Sequence, residues 1–143
     1  MKIREIKRFS LKVFNAVLRL LPQLSSGSEL PAKKHFKEIL KSERTHFFTA
    51  ELDNEQIIGM LTIVTYDIPT GTKIRIEDFV VDESQRGKGF GKELIHYAVD
   101  FAKSAGAEAI ELTSRPSRTE ANQLYQKSGF IKRETNVYRY PLK

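Results

Sequence analysis

The chain lacks cysteine altogether: none of its 143 residues carries a thiol. This absence excludes disulfides, thiolate metal sites and a cysteine nucleophile, and it fits a reducing compartment, so we expect a cytoplasmic protein. The sequence also lacks an apolar run of the ~20 residues that a membrane span requires. It contains neither an internal repeat nor a low-complexity segment. This length is typical of one domain, and we predict a single domain over residues 1–143.

The N-terminal region resembles a secretory signal in outline, because basic residues precede the apolar stretch from Phe9 to Leu24. However, Lys12, Asn15 and Arg19 interrupt that stretch. Its apolar side chains recur at helical spacing, which favours an ordinary amphipathic first helix. We therefore expect no membrane partner.

Positive charge is in excess, since 24 Lys and Arg residues face 18 Asp and Glu residues, for a formal net charge of +6. This balance fits either an ordinary basic protein or one that binds an anionic partner. The basic residues are scattered over several predicted elements, so we expect no nucleic-acid partner. His35, His46 and His96 show no metal-ligand spacing, and no metal is predicted.

Local signals in the first half of the chain predict helices followed by strands. A short edge strand is predicted within residues 1–8. A first helix is predicted from a cap at Ser10 to Leu21, where Pro22 stops it, and a second over residues 31–41 with Pro31 in its first turn. Three strands that form an antiparallel meander are predicted at 45–52, 56–66 and 73–81.

The second half alternates between the two kinds of element. It is predicted to contain a helix at 89–103, a strand at 109–113, a helix at 118–127 and closing strands at 130–134 and 137–140. Alternation after a meander indicates one mixed α/β sheet.

The most informative segment is the glycine loop, residues 82–92, which reads Asp-Glu-Ser-Gln-Arg-Gly-Lys-Gly-Phe-Gly-Lys. A strand ends before it, and a helix begins directly after its glycines. Glycine permits positive φ and close approach of a ligand, and successive amides at a helix N-terminus attract anions. Arg86 and Lys88 add positive charge. The loop therefore predicts a phosphate site, with a simple flexible turn as the alternative.

Two common phosphate motifs fail on spacing. A Walker A loop ends in Gly-Lys-Ser/Thr, whereas this helix opens Gly91-Lys92-Glu93 and offers no hydroxyl for magnesium. The dinucleotide pattern Gly-x-Gly-x-x-Gly does not fit Gly87, Gly89 and Gly91.

The segment Arg86-x-x-Gly89-x-Gly91 resembles the pyrophosphate motif Arg/Gln-x-x-Gly-x-Gly/Ala of the GNAT superfamily of N-acetyltransferases. Residues 76–81, Ile-Glu-Asp-Phe-Val-Val, resemble that family's fourth strand. Residues 121–130, Ala-Asn-Gln-Leu-Tyr-Gln-Lys-Ser-Gly-Phe, resemble its second signature, Ala-x-x-Leu-Tyr-x-x-x-Gly-Phe. The order of elements from residue 45 onward matches too, whereas residues 1–44 match only in their helical character.

The resemblance implies an α/β (α+β) fold. The expected fold is a single GNAT-like domain with a mixed, mostly antiparallel central sheet of about six or seven strands, flanked by about four helices and splayed between the fourth and fifth strands. The implied activity is transfer of an acetyl group from acetyl-CoA, the acetyl donor, to a primary amine. With no cysteine available, we expect direct attack within a ternary complex.

The resemblance also implies which residues bind acetyl-CoA. The pantetheine arm is expected to pair with strand amides at Phe79, Val80 and Val81. The diphosphate is expected to bind the glycine loop at Arg86, Gly87, Lys88, Gly89, Phe90, Gly91 and Lys92. Asn122 is a candidate hydrogen-bond partner of the coenzyme arm, and Tyr125 is a further contact. The family often has asparagine seven residues before the tyrosine; Arg118 stands there in this chain and is expected to meet a phosphate or to cap the helix.

Two residues are predicted to move protons. Tyr125 is the candidate general acid, because a phenol with an ordinary pKa of about 10 can protonate a departing thiolate. Glu77 is the candidate base, acting directly or through water, and the adjacent Asp78 is expected to raise its pKa. Strand alternation places Glu77 and Asp78 on opposite faces. The alternatives are a packed ring for Tyr125, and a salt-bridged Glu77 with a water chain as the base.

An enzyme is the leading interpretation, and a catalytically inactive acyl-CoA-binding or regulatory module is the alternative. The acceptor is expected to be an amine-bearing small molecule or an amine of a peptide or protein. A homodimer is compatible with the sequence but has no support in it.

Overall fold

A computed structural model describes all residues, Met1–Lys143. The chain divides into two compact units, Met1–Thr113 and Ser114–Lys143. The first unit contains β1 (Lys2–Glu5), α1 (Leu11–Leu24), α2 (Lys33–Lys41), β2 (Thr45–Glu51), β3 (Ile57–Ile68), β4 (Gly71–Val81), α3 (Phe90–Ser104) and β5 (Ile110–Glu111). The second unit contains α4 (Thr119–Lys127). None of these helices combines the length and the hydropathy that a bilayer crossing needs.

The sheet follows the chain in the order β1-β2-β3-β4-β5. The first four strands are antiparallel, and β5 is parallel to β4, as predicted for a mixed sheet built on a meander. Only two residue pairs join β4 to β5, Ile74 with Ile110 and Arg75 with Glu111. The pairing ends well before β4 does, which confirms the expected splay between the fourth and fifth strands.

Helices cover both faces of the sheet. In β2 the ring of Phe47 lies 5.2 Å from that of Phe36 in α2, and the ring of Phe48 lies 5.2 Å from that of Tyr97 in α3. Because successive strand side chains point to opposite faces, α2 and α3 lie on opposite sides. Phe14 of α1 also packs on Phe36, at 5.7 Å, so α1 and α2 share one side. Each buried phenylalanine contributes about 1.5–3 kcal/mol of burial free energy.

The helices begin and end close to the predicted positions, with two corrections. The Ser10 hydroxyl accepts a hydrogen bond from the Val13 N–H at 3.2 Å, which confirms the cap. The prediction that Pro22 stops α1 was wrong, because the helix includes it and ends at Leu24. Proline so close to the end removes only one hydrogen bond, and the helix's buried apolar face continues to Leu21. Pro31 precedes α2, which begins at Lys33, instead of entering its first turn.

The two closing strands predicted after residue 129 are absent, so the sheet has five strands and not six or seven. Residues 130–143 have no regular structure. Their large apolar side chains are 77–89% exposed, namely those of Ile131, Val137, Tyr138, Tyr140 and Leu142. Strand propensity depends on cross-strand packing, which this segment lacks, so its pattern alone does not make strands.

A buried carboxylate, that of Asp82, ties the end of β4 to α1. Asp82 is 6% exposed and forms an ion pair with Arg19, whose second terminal nitrogen donates to the Ile57 carbonyl at 2.6 Å. The other Asp82 oxygen accepts from the N–H and the hydroxyl of Ser84, at 3.0 and 2.8 Å. Burial alone would raise the pKa of Asp82, but the Ser84 hydrogen bonds and the Arg19 charge outweigh it and lower the pKa. The fold therefore binds Asp82 as an anion.

We expect Asp82→Asn to lower the free energy of unfolding at neutral pH by about 1.5–3 kcal/mol, the range for hydrogen bonds to a charged group. Because folding depresses this pKa, the carboxylate's contribution is present above its ordinary value of 3.8 and is lost as the pH falls below it. Urea unfolding of the wild-type protein and of Asp82→Asn at several acidic pH values measures the difference in their free energies of unfolding. This difference should become smaller toward low pH.

Asp100→Asn is the matched control, since Asp100 is exposed on α3. Two outcomes would contradict the conclusion that the fold binds Asp82 as an anion. One is a loss of stability in Asp100→Asn as large as that in Asp82→Asn, and the other is a loss in Asp82→Asn that does not depend on pH.

Candidate active site

The glycine loop leads from the end of β4 into α3 through a short 3-10 turn, Glu83–Gln85. Gly87 and Gly89 have φ angles of +78° and +89°, a conformation that costs other residues roughly 1–2 kcal/mol. Glu93 donates its N–H to the Gly89 carbonyl at 3.2 Å. The N–H groups of residues 87–92 donate to no protein acceptor. The loop therefore presents consecutive unpaired donors at the start of a helix.

The chemistry of such an array suits an anion, and the predicted phosphate contacts stay a prediction. The N-terminus of a helix carries about half a positive charge, and unpaired N–H groups there can donate hydrogen bonds to a phosphate. The Arg86 side chain donates from Nε to the Val81 carbonyl at 3.1 Å and braces the loop. Lys88 donates to the side chain of Gln85 at 3.0 Å. These donors and cations fit a diphosphate.

The predicted pantetheine positions lie just before this loop. The side chains of Phe79, Val80 and Val81 are buried, so they offer a ligand only main-chain atoms. This arrangement is compatible with the predicted backbone contacts, which stay a prediction.

A β-bulge interrupts β4 at Asp78. Met60 of β3 pairs with Val80, and Thr62 pairs with Glu77, so β4 has one residue more than β3 over this stretch. Asp78 has a φ of +46°, a left-handed conformation that is uncommon for a residue other than glycine. Bulges re-aim side chains and are frequent beside active sites. The strict alternation on which the sequence prediction relied therefore ends at Glu77.

Asp78 lines a cavity of about 640 Å³ between the α1–α2 side and the sheet. This volume lies within the roughly 300–1,000 Å³ of small-molecule sites. Aromatic and aliphatic side chains form most of its walls, among them Leu21, Phe36, Ile39, Phe47 and Met60. Its charged and polar side chains include Glu29, His35, Thr62 and Asp78, with neither lysine nor arginine.

The two neighbouring carboxylates have different surroundings. Asp78 is exposed to solvent. Partial desolvation nevertheless raises its pKa, and the negative charge of Glu77 raises it further. Glu77 instead accepts a hydrogen bond from Nε of Arg75 at 3.2 Å and does not line the cavity. Asp78 is therefore the carboxylate that the cavity exposes, and a raised pKa suits a base that works near neutral pH. The role assigned to Glu77 stays a prediction.

In the second unit, Tyr125 is buried, and its ring lies 6.0 Å from that of Phe130. Burial raises the pKa of Tyr125, and the charge and hydrogen bond of Arg118 offset this only in part. The hydroxyl is therefore protonated at neutral pH and is able to donate.

The Arg118 side chain makes no cap bond, although its backbone begins α4. The Asn122 side chain donates to the Arg115 carbonyl at 2.9 Å, so its predicted coenzyme contact stays a prediction.

Residues 13–130 match the Acetyltransferase (GNAT) family. The chain belongs to that family. It is 35% identical over 100 residues to the uncharacterized N-acetyltransferase YvbK of Bacillus subtilis, covering 70% of this chain and 61% of the relative. It is 29% identical over 97 residues to the aminoalkylphosphonate N-acetyltransferase of Salmonella typhimurium, covering 66% and 62%. The first three curated relatives are matched over 61%, 46% and 41% of their own length.

Solved structures share the fold of this GNAT protein. An aminoglycoside acetyltransferase from an uncultured soil metagenomic sample has a TM-score of 0.88 at 23% identity, covering 99% of this chain and 96% of that one. Glucosamine-6-phosphate N-acetyltransferase from Arabidopsis thaliana has a TM-score of 0.78 at 23% identity, covering 97% of each chain. At these identities the likeness establishes the fold.

Sequence reasoning missed two carboxylates that line the cavity. It named Asp78 only as a neighbour of Glu77, and it did not name Glu29. A bulge leaves no clear sequence signal, because it depends on the register with β3. Glu29 lies in the connection between α1 and α2, where the resemblance was weakest and no motif pointed to a role.

We expect Asp78→Asn to raise the free energy of unfolding at neutral pH only slightly, by less than about 0.5 kcal/mol, because Asp78 is exposed and water screens the charge of Glu77. Asparagine tolerates positive φ as aspartate does, so the backbone cost is unchanged. Because folding raises the pKa of Asp78, the ionised carboxylate costs stability above that pKa. The gain should therefore disappear as the pH falls below the ordinary value of 3.8.

Chemical denaturation across this pH range measures the effect. Glu77→Gln is the control: it removes the ion pair with Arg75 and should give no gain. Equal stabilisation by Asp78→Asn and Glu77→Gln would show that the surroundings of Asp78 do not destabilise its ionised carboxylate.

Proposed function

We propose that this protein transfers the acetyl group of acetyl-CoA to the amine of an acceptor bound in the Asp78 cavity. The observation that carries the proposal is the row of unpaired N–H groups at residues 87–92. These N–H groups belong to a largely exposed loop and to the first turn of α3, where donors lack an intrahelical partner and an anion is a favourable acceptor. The same strand that leads into this loop carries Asp78 within the cavity.

Acetyl-CoA, when bound, supplies an activated thioester, and its diphosphate matches the loop. The N–H groups of residues 87–92 bind the diphosphate oxygens, and Arg86, Lys88 and Lys92 add positive charge. The main chain of residues 79–81 is positioned to pair with the pantetheine amides. A main-chain N–H at this point also suits the thioester carbonyl, where negative charge develops during attack.

Asp78 is the stronger candidate for the base. An amine enters the cavity as an ammonium ion, and the carboxylate removes a proton to give the nucleophilic free amine. The nitrogen then bonds to the carbonyl carbon as the carbon–sulfur bond breaks. The nitrogen releases its second proton to water, because the carboxyl group of Asp78 already holds the first. Glu77 is the rival for this role, acting through water.

Tyr125 is the proposed acid that protonates the departing sulfur. The assignment rests on its place in the Leu-Tyr-x-x-x-Gly-Phe signature and on its protonated hydroxyl. Arg118 donates to that hydroxyl and makes it a better acid than burial alone would allow. Arg118 therefore acts as a positioning residue in the place where the family often has asparagine.

The names of the relatives do not select an acceptor. Aminoalkylphosphonates and glucosamine-6-phosphate carry an anionic group beside the amine, whereas aminoglycosides carry several amines. The acceptor of this chain must therefore be inferred from its own cavity.

We expect Gly89→Ala to weaken acetyl-CoA binding about tenfold, because alanine at this φ costs roughly 1–2 kcal/mol and shifts the loop away from its binding geometry. Isothermal titration calorimetry with acetyl-CoA measures this change. Gly106→Ala is the matched control: Gly106 follows the other end of α3 and has a similar φ of +73°. Equal weakening in both variants would contradict the loop as the coenzyme site.

We expect Tyr125→Phe to reduce turnover roughly 10²–10⁴-fold, the range for loss of a general acid, while acetyl-CoA binding stays intact. Release of free thiol with saturating amine measures turnover. In the same assay Asp78→Asn should slow the reaction more than Glu77→Gln does. An unchanged rate in Tyr125→Phe would remove Tyr125 as the acid. Tight coenzyme binding without thiol release for any amine would favour the binding module over the enzyme.

A further inference from the structure

The charge of the Asp78 cavity is opposite to that of the protein as a whole. The chain carries a net charge of +6, yet Glu29 and Asp78 line the cavity and no lysine or arginine does. Neither carboxylate forms an ion pair with a basic side chain. The cavity therefore holds uncompensated negative charge, which repels anionic groups and attracts cations.

The two carboxylates occupy separate positions in this cavity. The negative charge that acts on Asp78 is that of Glu77, and Glu29 exerts no comparable effect. Glu29 belongs to the connection between α1 and α2, whereas Asp78 belongs to β4. Apolar side chains such as Phe36, Phe47 and Met60 complete the walls. Glu29 and Asp78 are both accessible to solvent. A single ligand that pairs with both carboxylates carries two cations, and the apolar walls favour an apolar segment between them.

We propose that the acceptor is a small dicationic amine, in which one amine reacts at Asp78, the second ammonium binds Glu29, and an apolar spacer packs on the aromatic wall. This assignment rests on the proposed function and deepens it. It disfavours amino acids and phosphorylated amines as acceptors, because their anionic groups would enter a cavity lined by two carboxylates and by no lysine or arginine.

Three amines with the same spacer test the proposal: hexamethylenediamine, hexylamine and aminocaproate. Hexylamine lacks the second ammonium group of hexamethylenediamine. Aminocaproate carries a carboxylate at that end instead. From thiol release we expect kcat/KM for the diamine to exceed that for hexylamine about tenfold, and that for aminocaproate to be lowest. About twofold of the diamine's advantage is statistical, since either end reacts.

Glu29→Gln should reduce the diamine's advantage to this statistical factor. Glu43→Gln is the matched control, because Glu43 is exposed and does not line the cavity, and the ratio should stay as in the wild-type protein. Calorimetric binding of the diamine and of hexylamine to wild-type protein and Glu29→Gln gives a readout that does not need turnover.

The outcomes separate the two proposals. Equal or faster reaction of aminocaproate, or an unchanged diamine preference in Glu29→Gln, overturns the dicationic acceptor and leaves the acetyltransferase proposal standing. Diamine binding that depends on Glu29, without thiol release from any amine, supports the cavity assignment and overturns the enzymatic one. Diamine binding no tighter than that of hexylamine overturns the assignment of Glu29.

Discussion

The ion pair between Arg19 and Asp82 decides where β4 ends and where the glycine loop begins. Gln23, one turn further along α1, accepts the N–H of Glu83 at 2.8 Å and adds a second tie. Residues four apart share one side of a helix, so Arg19 and Gln23 face the loop together. Val17 and Leu21 of the same helix line the cavity. A single helix therefore contacts the glycine loop with one side and lines the Asp78 cavity with the other.

The first unit separates charge in a way that matches a reaction between a polyanion and a cation. Main-chain N–H groups and basic side chains surround the loop, whereas carboxylates line the cavity. Backbone donors keep their charge at every pH, so the loop is insensitive to titration. The carboxyl of Asp78 has the opposite property, because its surroundings destabilise the charged form. One strand thus leads from a titratable carboxyl, that of Asp78, to a loop whose main-chain donors do not titrate.

Sequence patterns predicted the elements well where local chemistry determines them. The Ser10 cap, the antiparallel meander and the helix after the glycine loop depend on neighbouring residues, and each appears in the structure. The predictions failed where a distant partner decides the outcome. Burial of one face carries α1 past Pro22, and the register with β3 places the bulge at Asp78. The pairing of Arg75 with Glu77, likewise, depends on side-chain geometry that spacing does not report.

The glycine loop before α3 could be predicted from spacing, because its conformation needs only glycine and a helix start. The acceptor cavity could not, since it is assembled from two helices, three strands and a connecting loop. Glu29 has no motif around it, and its importance arises only from the absence of basic residues among its neighbours in space.

The irregular segment after residue 129 has a consequence for how the protein behaves at high concentration. Its exposed aromatic and aliphatic side chains have strong strand propensity, which makes the segment a template for cross-β association. Lys132, Arg133, Arg139 and Lys143 interrupt it, against the single anion Glu134. Such gatekeeper charges make copies of the segment repel one another. Because the Debye length falls to about 3 Å in 1 M salt, strong salt removes this protection and leaves the segment free to aggregate.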